Sequence, residues 1–273
     1  MSEQRRTRRR PPQVPPTPRE PIGRDRAAPG APARRAPERE PRPQRPAFPD
    51  DATIDLPPRV RKDIDRLVGD RARADDVKLA LTVGTHASED DDHATARAAL
   101  VWAKHLAPRS AVVREALGIA LYRAGDLRAA LPELQAYRRL SGADDQNHLL
   151  ADCLRATGRE TDRALTLART LAEDPTADGD RRAEAAIVAA AIHCAEGRAT
   201  RAEALLRPFL DGPEAATTSP EATVRLLWMA ADAAETADAP QRAVDALRRL
   251  RSIDPEYPDV GTRLDRLAAG GHR

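Results

Sequence analysis

The sequence predicts an all-α protein made of repeated helical hairpins that stack as a solenoid behind a disordered tail. From Val77 onward, apolar residues recur at helical spacing, and no segment alternates polar and apolar residues long enough to indicate a strand. Pairs of small residues recur about twelve positions apart, and the prolines cluster before residue 50. We therefore divide the chain into a tail, residues 1–52, and a helical repeat domain, residues 53–273.

The tail is rich in arginine and proline. Residues 1–50 hold 13 arginines and six acidic residues, a net charge of +7, whereas the remaining 223 residues carry −5. Thirteen of the 24 prolines lie in residues 11–49 and disfavour helix. Few large apolar residues accompany them, so burial cannot offset an ordering cost of roughly 1–2 kcal/mol per residue. We predict that the tail is disordered, with local polyproline II character.

Terminal helices are predicted at both ends of the repeat domain. Val60, Ile64 and Val68 lie on one face of a helix from about Pro58 to Arg73, and a proline suits a first helical turn. At the other end, residues 259–268 show the same apolar spacing. Because stacked repeats leave apolar surface at their ends, we expect these two helices to act as caps.

The repeat is clearest in residues 111–142. There Gly118 and Ala130 lie twelve residues apart, and Gly125-Asp126 forms the turn between two helical segments. The corresponding pairs elsewhere are Gly84 with Ala96, Ala190 with Ala202 and Ala231 with Ala243, whereas Ala151 and Ala164 lie thirteen apart. The second members of the pairs are spaced by 34, 34, 38 and 41 residues, so we expect loop insertions in the later units, notably at residues 212–219.

This pattern resembles the tetratricopeptide repeat (TPR) family, whose period is 34 residues. In that family two antiparallel helices pack with small residues at their closest approach. The resemblance covers residues 77–255 and implies a right-handed α-solenoid of about five TPR-like hairpins with capping helices. It also implies a non-catalytic scaffold or adaptor that binds a partner protein or peptide in a concave groove. The bulky residues typical of the family's first helix are mostly missing, and an irregular helical bundle is the alternative.

In the resembling family, side chains of the first helices line the groove. Carried over residue by residue, this predicts groove positions at Glu115, Ile119, Tyr122, Arg123, His148, Asp152, Arg155, Arg225, Trp228, Asp232 and Glu235. Tyrosine, tryptophan and arginine are enriched at binding hot spots. Trp228 fits the core equally well, and an ordinary solvated face would also explain His148 and Asp152. The Lys/Asn set with which some TPR proteins clamp a carboxylate is missing, which disfavours that class of partner.

Recognisable catalytic motifs are missing from the sequence. No GxxxxGK[ST], GxGxxG, GxSxG or HExxH pattern occurs, so we predict no enzyme activity, no cofactor and no metal. Residues 86–93 are rich in histidine and carboxylates, but they lie where a turn is expected, and we interpret them as a solvated turn. His193 and Cys194 are sequence neighbours, and on a helix they would point about 100° apart rather than form a catalytic pair.

The tail supports a second function of a different class. Its arginines could contact the phosphates of nucleic acid or an anionic surface, with strong salt dependence. Two cysteines cannot form a disulfide framework, no run of 18 apolar residues occurs, and prolines follow the early arginines where an export signal would be apolar. We predict a cytoplasmic protein, and the arginine, alanine and proline usage is typical of high-GC bacteria such as actinobacteria.

Overall fold

Every regular element that the structure describes is helical. The computed structural model describes residues 43–158 and 160–270, which belong to one compact unit. Within these residues there are twelve α-helices, one 3-10 helix and no strand, which confirms the predicted all-α class for this part of the chain. None of the described helices combines the length and apolar composition that a membrane span needs. The predicted disorder of the tail up to residue 42 lies outside the described residues.

The helices follow one another with short connections. They are α1 (Pro58–Val68), α2 (Arg71–Glu89), α3 (His93–Leu106), α4 (Ala111–Arg123), α5 (Leu127–Ser141), α6 (Asn147–Ala156), α7 (Thr161–Ala172), α8 (Gly179–Ala195), α9 (Ala199–Leu210), α10 (Pro220–Thr236), α11 (Pro240–Ile253) and α12 (Val260–Gly270). The 3-10 helix, Pro213–Thr217, lies between α9 and α10.

Ten of the helices pack as five successive pairs, α2–α3, α4–α5, α6–α7, α8–α9 and α10–α11. We call the first member of each pair a first helix and the second member a second helix. Each first helix contacts the next first helix, and each second helix contacts the first helix of the following pair. Each of the three inner pairs is therefore held by the pairs before and after it in sequence, and each outer pair by one neighbouring pair.

All five pairs turn in the same way. Seven positions after the small residue of each first helix stands a residue with left-handed backbone: Asp91, Gly125, Gly158, Gly197 and Asp238, with φ between 52° and 74°. Glycine adopts this conformation without a Cβ clash, and aspartate tolerates it better than most residues. In the clearest turn, Asp126 N donates to Leu121 O at 2.9 Å, the bond of a Schellman C-cap. In three of the other turns a backbone N–H likewise donates to the carbonyl five residues earlier: Asp92 to Ala87, Arg198 to His193 and Ala239 to Ala234.

Short acidic and hydroxyl side chains cap the N-termini. Asp70, Asp92, Asp126, Asp178 and Ser219 each accept a hydrogen bond from the backbone N–H three residues ahead. A cap of this kind stabilises a helix by about 1 kcal/mol. Asp92 and Asp126 directly follow a left-handed residue, so one short turn both ends a helix and starts the next.

The core is built largely from alanine and leucine. All ten small residues that define the repeat are buried, eight as alanine and two as Gly84 and Gly118. Both glycines let helices approach closely. A Cβ on Gly84 would lie 2.5 Å from Leu100 Cγ, and a Cβ on Gly118 would lie 2.8 Å from Leu134 Cδ2. Real Cβ atoms essentially never make contacts this short.

The N-terminal end differs from the prediction in one respect. Helix α1 ends at Val68 rather than near Arg73, because Gly69 takes a positive φ of 74° and Asp70 then caps α2. Ahead of α1, the non-helical segment 43–57 lies along α2. Phe48 and Leu56 pack against the core there.

The predicted insertion at residues 212–219 contains the 3-10 helix and docks on α8. Arg182 donates to Glu214 Oε2 at 2.7 Å and to the carbonyl of Ala172 at 3.2 Å. Ser219 N donates to Asp180 Oδ1 at 2.7 Å. The insertion is therefore fixed by polar contacts to the start of a first helix.

Candidate functional site

The predicted groove residues occupy repeated positions on the first helices. We number each position from the small residue of its helix. Ten of the predicted groove residues stand at −6, −3, +1 or +4, and these four positions share one helical face. The eleventh, Arg123, stands at +5. Position −6 is Arg225; position −3 holds Glu115, His148 and Trp228; position +1 holds Ile119, Asp152 and Asp232; position +4 holds Tyr122, Arg155 and Glu235. Every one of the eleven is half-buried or exposed, in contrast to the buried small residues.

Polar contacts cross from α4 to α6 along this face. Tyr122 Oη donates to Asp152 Oδ2 at 2.9 Å, and Gln146 Nε2 donates to Glu115 Oε1 at 2.9 Å. Burial, with the Asp152 carboxylate beside it, raises the pKa of Tyr122, so the phenol stays a neutral donor. Burial also raises the pKa of Glu115. The two helices thus share partly desolvated polar groups.

Helix α8 continues the same face, although the sequence analysis assigned it no groove residue. Offsets from Ala190 place Glu184 at −6, Ile187 at −3, Ala191 at +1 and Cys194 at +4, all of them half-buried. Glu184 accepts from Arg225 Nε at 2.5 Å, so equivalent positions of α8 and α10 form an ion pair. Burial raises the pKa of Glu184. The repeated offset was the signal that could have found these residues; without aromatic anchors, α8 does not stand out by composition.

His148 belongs to α6 and has charged neighbours, among them Arg181 of α8. Burial, and then the positive charge of Arg181, lower the pKa of His148 from 6.5 to about 4, against the opposing effect of Asp145 and Asp152. Arg181 is itself held by Asp145, to whose Oδ2 it donates at 3.2 Å. His148 is therefore neutral in the folded chain near neutral pH.

We expect acid to destabilise the protein partly through His148. The unfolded chain takes up the proton near pH 6.5 and the folded chain only near pH 4, so the contribution of this residue is complete above pH 6.5 and is lost as the pH falls towards 4. Between about pH 7 and about pH 5, the wild-type free energy of unfolding should fall by about 2 kcal/mol more than that of His148→Gln. Urea unfolding at a series of pH values measures this difference, with the exposed His86→Gln as control. Equal pH dependence of the wild type and His148→Gln would contradict the assignment.

The C-terminal end of this face is covered by α12. The guanidinium of Arg263 lies 4.5 Å from the ring centroid of Trp228, and Arg263 donates to Asp232 at 2.5 Å and to Glu235 at 2.8 Å. Tyr257 packs on the same tryptophan, with the ring centroids 5.5 Å apart. Three of the four groove residues predicted on α10 thus contact Arg263, and the fourth, Arg225, pairs with Glu184 of α8.

The N-terminal end is covered as well. Lys78, at position −6 of α2, donates to Asp65 of α1 at 2.8 Å. Thr82 Oγ1 accepts from Asp55 N at 3.2 Å, and Leu81, at position −3, is 1% exposed. The uncovered stretch therefore lies on α4, α6 and α8. We call this stretch, with the exposed Arg225, the open row: Glu115, Ile119, Tyr122, Arg123, His148, Asp152, Arg155, Glu184, Ile187, Ala191 and Arg225.

The structure also shows where the histidine- and cysteine-containing segments considered in the sequence lie. The described residues hold no group of three histidine, cysteine or carboxylate side chains that could bind a metal ion. The segment 86–93 spans the end of α2, the turn and the first residue of α3. Burial raises the pKa of Cys194, and raises that of Cys153 to about 12, so both thiols stay protonated.

Comparison with models of known protein families finds no match, and a search of curated proteins finds none either. The open row offers carboxylates that burial holds partly out of water, exposed guanidinium groups beside them, and small apolar surfaces between them.

Proposed function

We propose that this chain is a non-catalytic interaction scaffold. Its five helix pairs would stack as a right-handed, TPR-like α-solenoid, and an extended segment of a partner protein would bind along the open row. The regular contacts between neighbouring first helices support this proposal, because stacked hairpins of this kind present an extended surface lined by their first helices.

The observation that carries the proposal is the continuity of the open row over three successive first helices. Tyr122 and Asp152 join the first two, and the same offsets extend the row to Glu184 on the third. Because both ends are covered by other parts of the chain, the open row is a bounded stretch rather than an endless face.

The chemistry of the open row favours a partner rich in hydrogen-bond donors. Glu115 and Glu184 are carboxylates for which burial raises the pKa, so each has lost part of its hydration. Each carboxylate accepts one hydrogen bond within the chain, Glu115 from Gln146 and Glu184 from Arg225. Backbone N–H groups or basic side chains of a bound peptide would fill the remaining acceptor positions. The half-exposed Ile119 and Ile187 would add apolar contact between the polar positions.

Neutralising the two partly desolvated carboxylates of the open row tests the proposal. We expect Glu115→Gln with Glu184→Gln to weaken partner binding about tenfold or more, since both carboxylates would accept charge-assisted hydrogen bonds from the partner. The matched control is Glu89→Gln with Glu256→Gln, two exposed glutamates away from the row that carry the same change of charge. Partners captured by the full chain from nuclease-treated extract would be identified and then titrated as purified proteins. A partner that both variants bind equally well would overturn the proposal.

The alternative function, phosphate binding through residues 1–50, falls mainly on residues outside the described part and stays a prediction. It differs in its response to salt and nuclease, because phosphate contacts weaken steeply as salt rises. Capture that disappears with nuclease would favour it. The free thiols of Cys153 and Cys194 support a proposed cytoplasmic location, where cysteines are normally reduced.

A further inference from the structure

Positive charge is concentrated on the second helices. Together α3, α5, α7, α9 and α11 carry 13 basic and four acidic residues, a net charge of +9. The five first helices carry nine basic and ten acidic residues, a net charge of −1. The repeat therefore separates charge between its two sets of helices, although the chain from residue 51 onward is acidic as a whole.

Many of these cations are not neutralised within the protein. Seven of the 13 form ion pairs, such as Arg97 with Asp126 and Arg249 with Asp211. The other six are exposed and have no side-chain hydrogen bond or ion pair to any residue in the described part of the chain. We call these six the basic face: Arg128, Arg139, Arg201, Arg207, Arg248 and Arg251. Unpaired charges of one sign add to a common field that attracts a polyanion.

Members of the basic face stand next to further arginines. Arg139 borders a surface groove with Arg138 and Arg163, contributed by α5 and α7; Asp144 lines the same groove and pairs with Arg138, and Arg163 pairs with Glu160. Arg248 and Arg251 border another groove between α11 and α12. A guanidinium group can hold a phosphate through two parallel hydrogen bonds, so grooves with two or three arginines suit successive phosphates.

We propose that the basic face binds the sugar–phosphate backbone of double-stranded nucleic acid without sequence preference. The Trp, Tyr and Phe residues of the second helices, Trp102, Tyr137 and Phe209, are buried or half-buried, so none of these three rings offers a fully exposed platform for unpaired bases. A duplex keeps its bases stacked inside and turns its phosphates outward, which matches a surface that is rich in arginine.

An anionic membrane fits the same face less well. Stable attachment of a helix to a lipid surface needs an apolar side that enters the headgroup region. The apolar sides of the second helices are buried in the core, and the large exposed apolar residues on these helices, Leu140 and Ile253, stand in their last turns. Charge alone therefore favours the duplex over the bilayer. This proposal concerns a different set of helices from the open row and does not depend on it.

The test measures binding of a fluorescent random-sequence duplex by the full chain, using anisotropy at several salt concentrations. The face variant replaces Arg128, Arg139, Arg207 and Arg248 by glutamine. The matched control replaces four exposed arginines of other segments that likewise have no side-chain partner among the described residues: Arg59, Arg61, Arg71 and Arg109. Both variants change the net charge equally and keep residues 1–42. Circular dichroism and thermal midpoints check that neither substitution disturbs the fold.

We expect the face variant to bind the duplex at least tenfold more weakly at low salt, with the control close to the wild type. The salt slope of log K should become shallower by about one for each arginine that contacts a phosphate. Equal losses in both variants would show a general charge effect and overturn the proposal, as would unchanged binding by the face variant. Anionic vesicles that bind in a face-dependent way while the duplex does not would also overturn it.

Discussion

Replacing both Lys104 and Arg114 by methionine is expected to lower the free energy of unfolding by about 3–5 kcal/mol. Both cations hold Glu133, which is 5% exposed on α5. Lys104 Nζ lies 2.6 Å from Oε1, and Arg114 Nη1 lies 2.5 Å from Oε2. Without them a buried carboxylate would have no counterion. Urea unfolding of the double variant measures the loss.

A third substitution separates the buried charge from other effects. Adding Glu133→Leu to the double variant should restore much of the lost stability, because a buried ion cluster can often be replaced by apolar residues at little net cost. Arg97→Met is the control in the same helix. Its pair with Asp126 is exposed, so the loss should stay below about 1 kcal/mol. A double variant as stable as the wild type would mean that Glu133 is not buried among these helices.

Gly84→Leu is expected to cost about 3 kcal/mol, because even a Cβ at this position would lie 2.5 Å from Leu100 Cγ. Leu100 is fully buried, and close-packed protein interiors leave little space for a side chain to move into. The smaller change Gly84→Ala should also destabilise the protein, although alanine favours a helix by about 1 kcal/mol over glycine. Denaturant unfolding of both variants provides the measurement.

Whether Gly84→Ala raises or lowers the free energy of unfolding gives the sharper test. In a Leu100→Ala background the two shortest contacts are removed and the 3.3 Å contact with Ala99 Cβ remains, so Gly84→Ala should become close to neutral, or stabilising by up to about 1 kcal/mol. Gly261→Ala in α12 is the control, since a Cβ there meets no atom within 4 Å. If Gly84→Ala stabilised the wild type as much as Gly261→Ala does, α2 and α3 could not approach as closely as described.

Part of the candidate site followed from the sequence. The resemblance to TPR first helices predicted groove positions at Tyr122 and Asp152, which the structure joins by a hydrogen bond across two helices. Counting the same offsets from Ala190 also reaches Glu184 on α8. Seven of the 17 residues of α8 are alanine and none is Tyr, Trp or Phe, so no aromatic side chain marks the groove positions of this helix.

Other features of the site depend on partners distant in sequence. Trp228 was equally compatible with groove and core, and its surroundings are set by Arg263, a residue of α12 that stacks on its ring. Lys78 stands at position −6 of α2, which is equivalent to Glu184 on α8. Asp65 and the segment ahead of α1 nevertheless cover that part of α2. No periodicity within a single helix contains this information.

The helical class, the turns and many helix ends follow from local sequence. Their causes act within a few residues: aspartate or serine satisfies a free N–H, glycine or aspartate takes a left-handed turn, and apolar residues repeat at helical spacing. Which positions of the open row stay exposed, and where Glu133 finds its cations, is decided only when helices from separate parts of the chain dock. Side-chain burial and charge pairing are properties of that docked arrangement, because both depend on distances between segments and not on order along the chain.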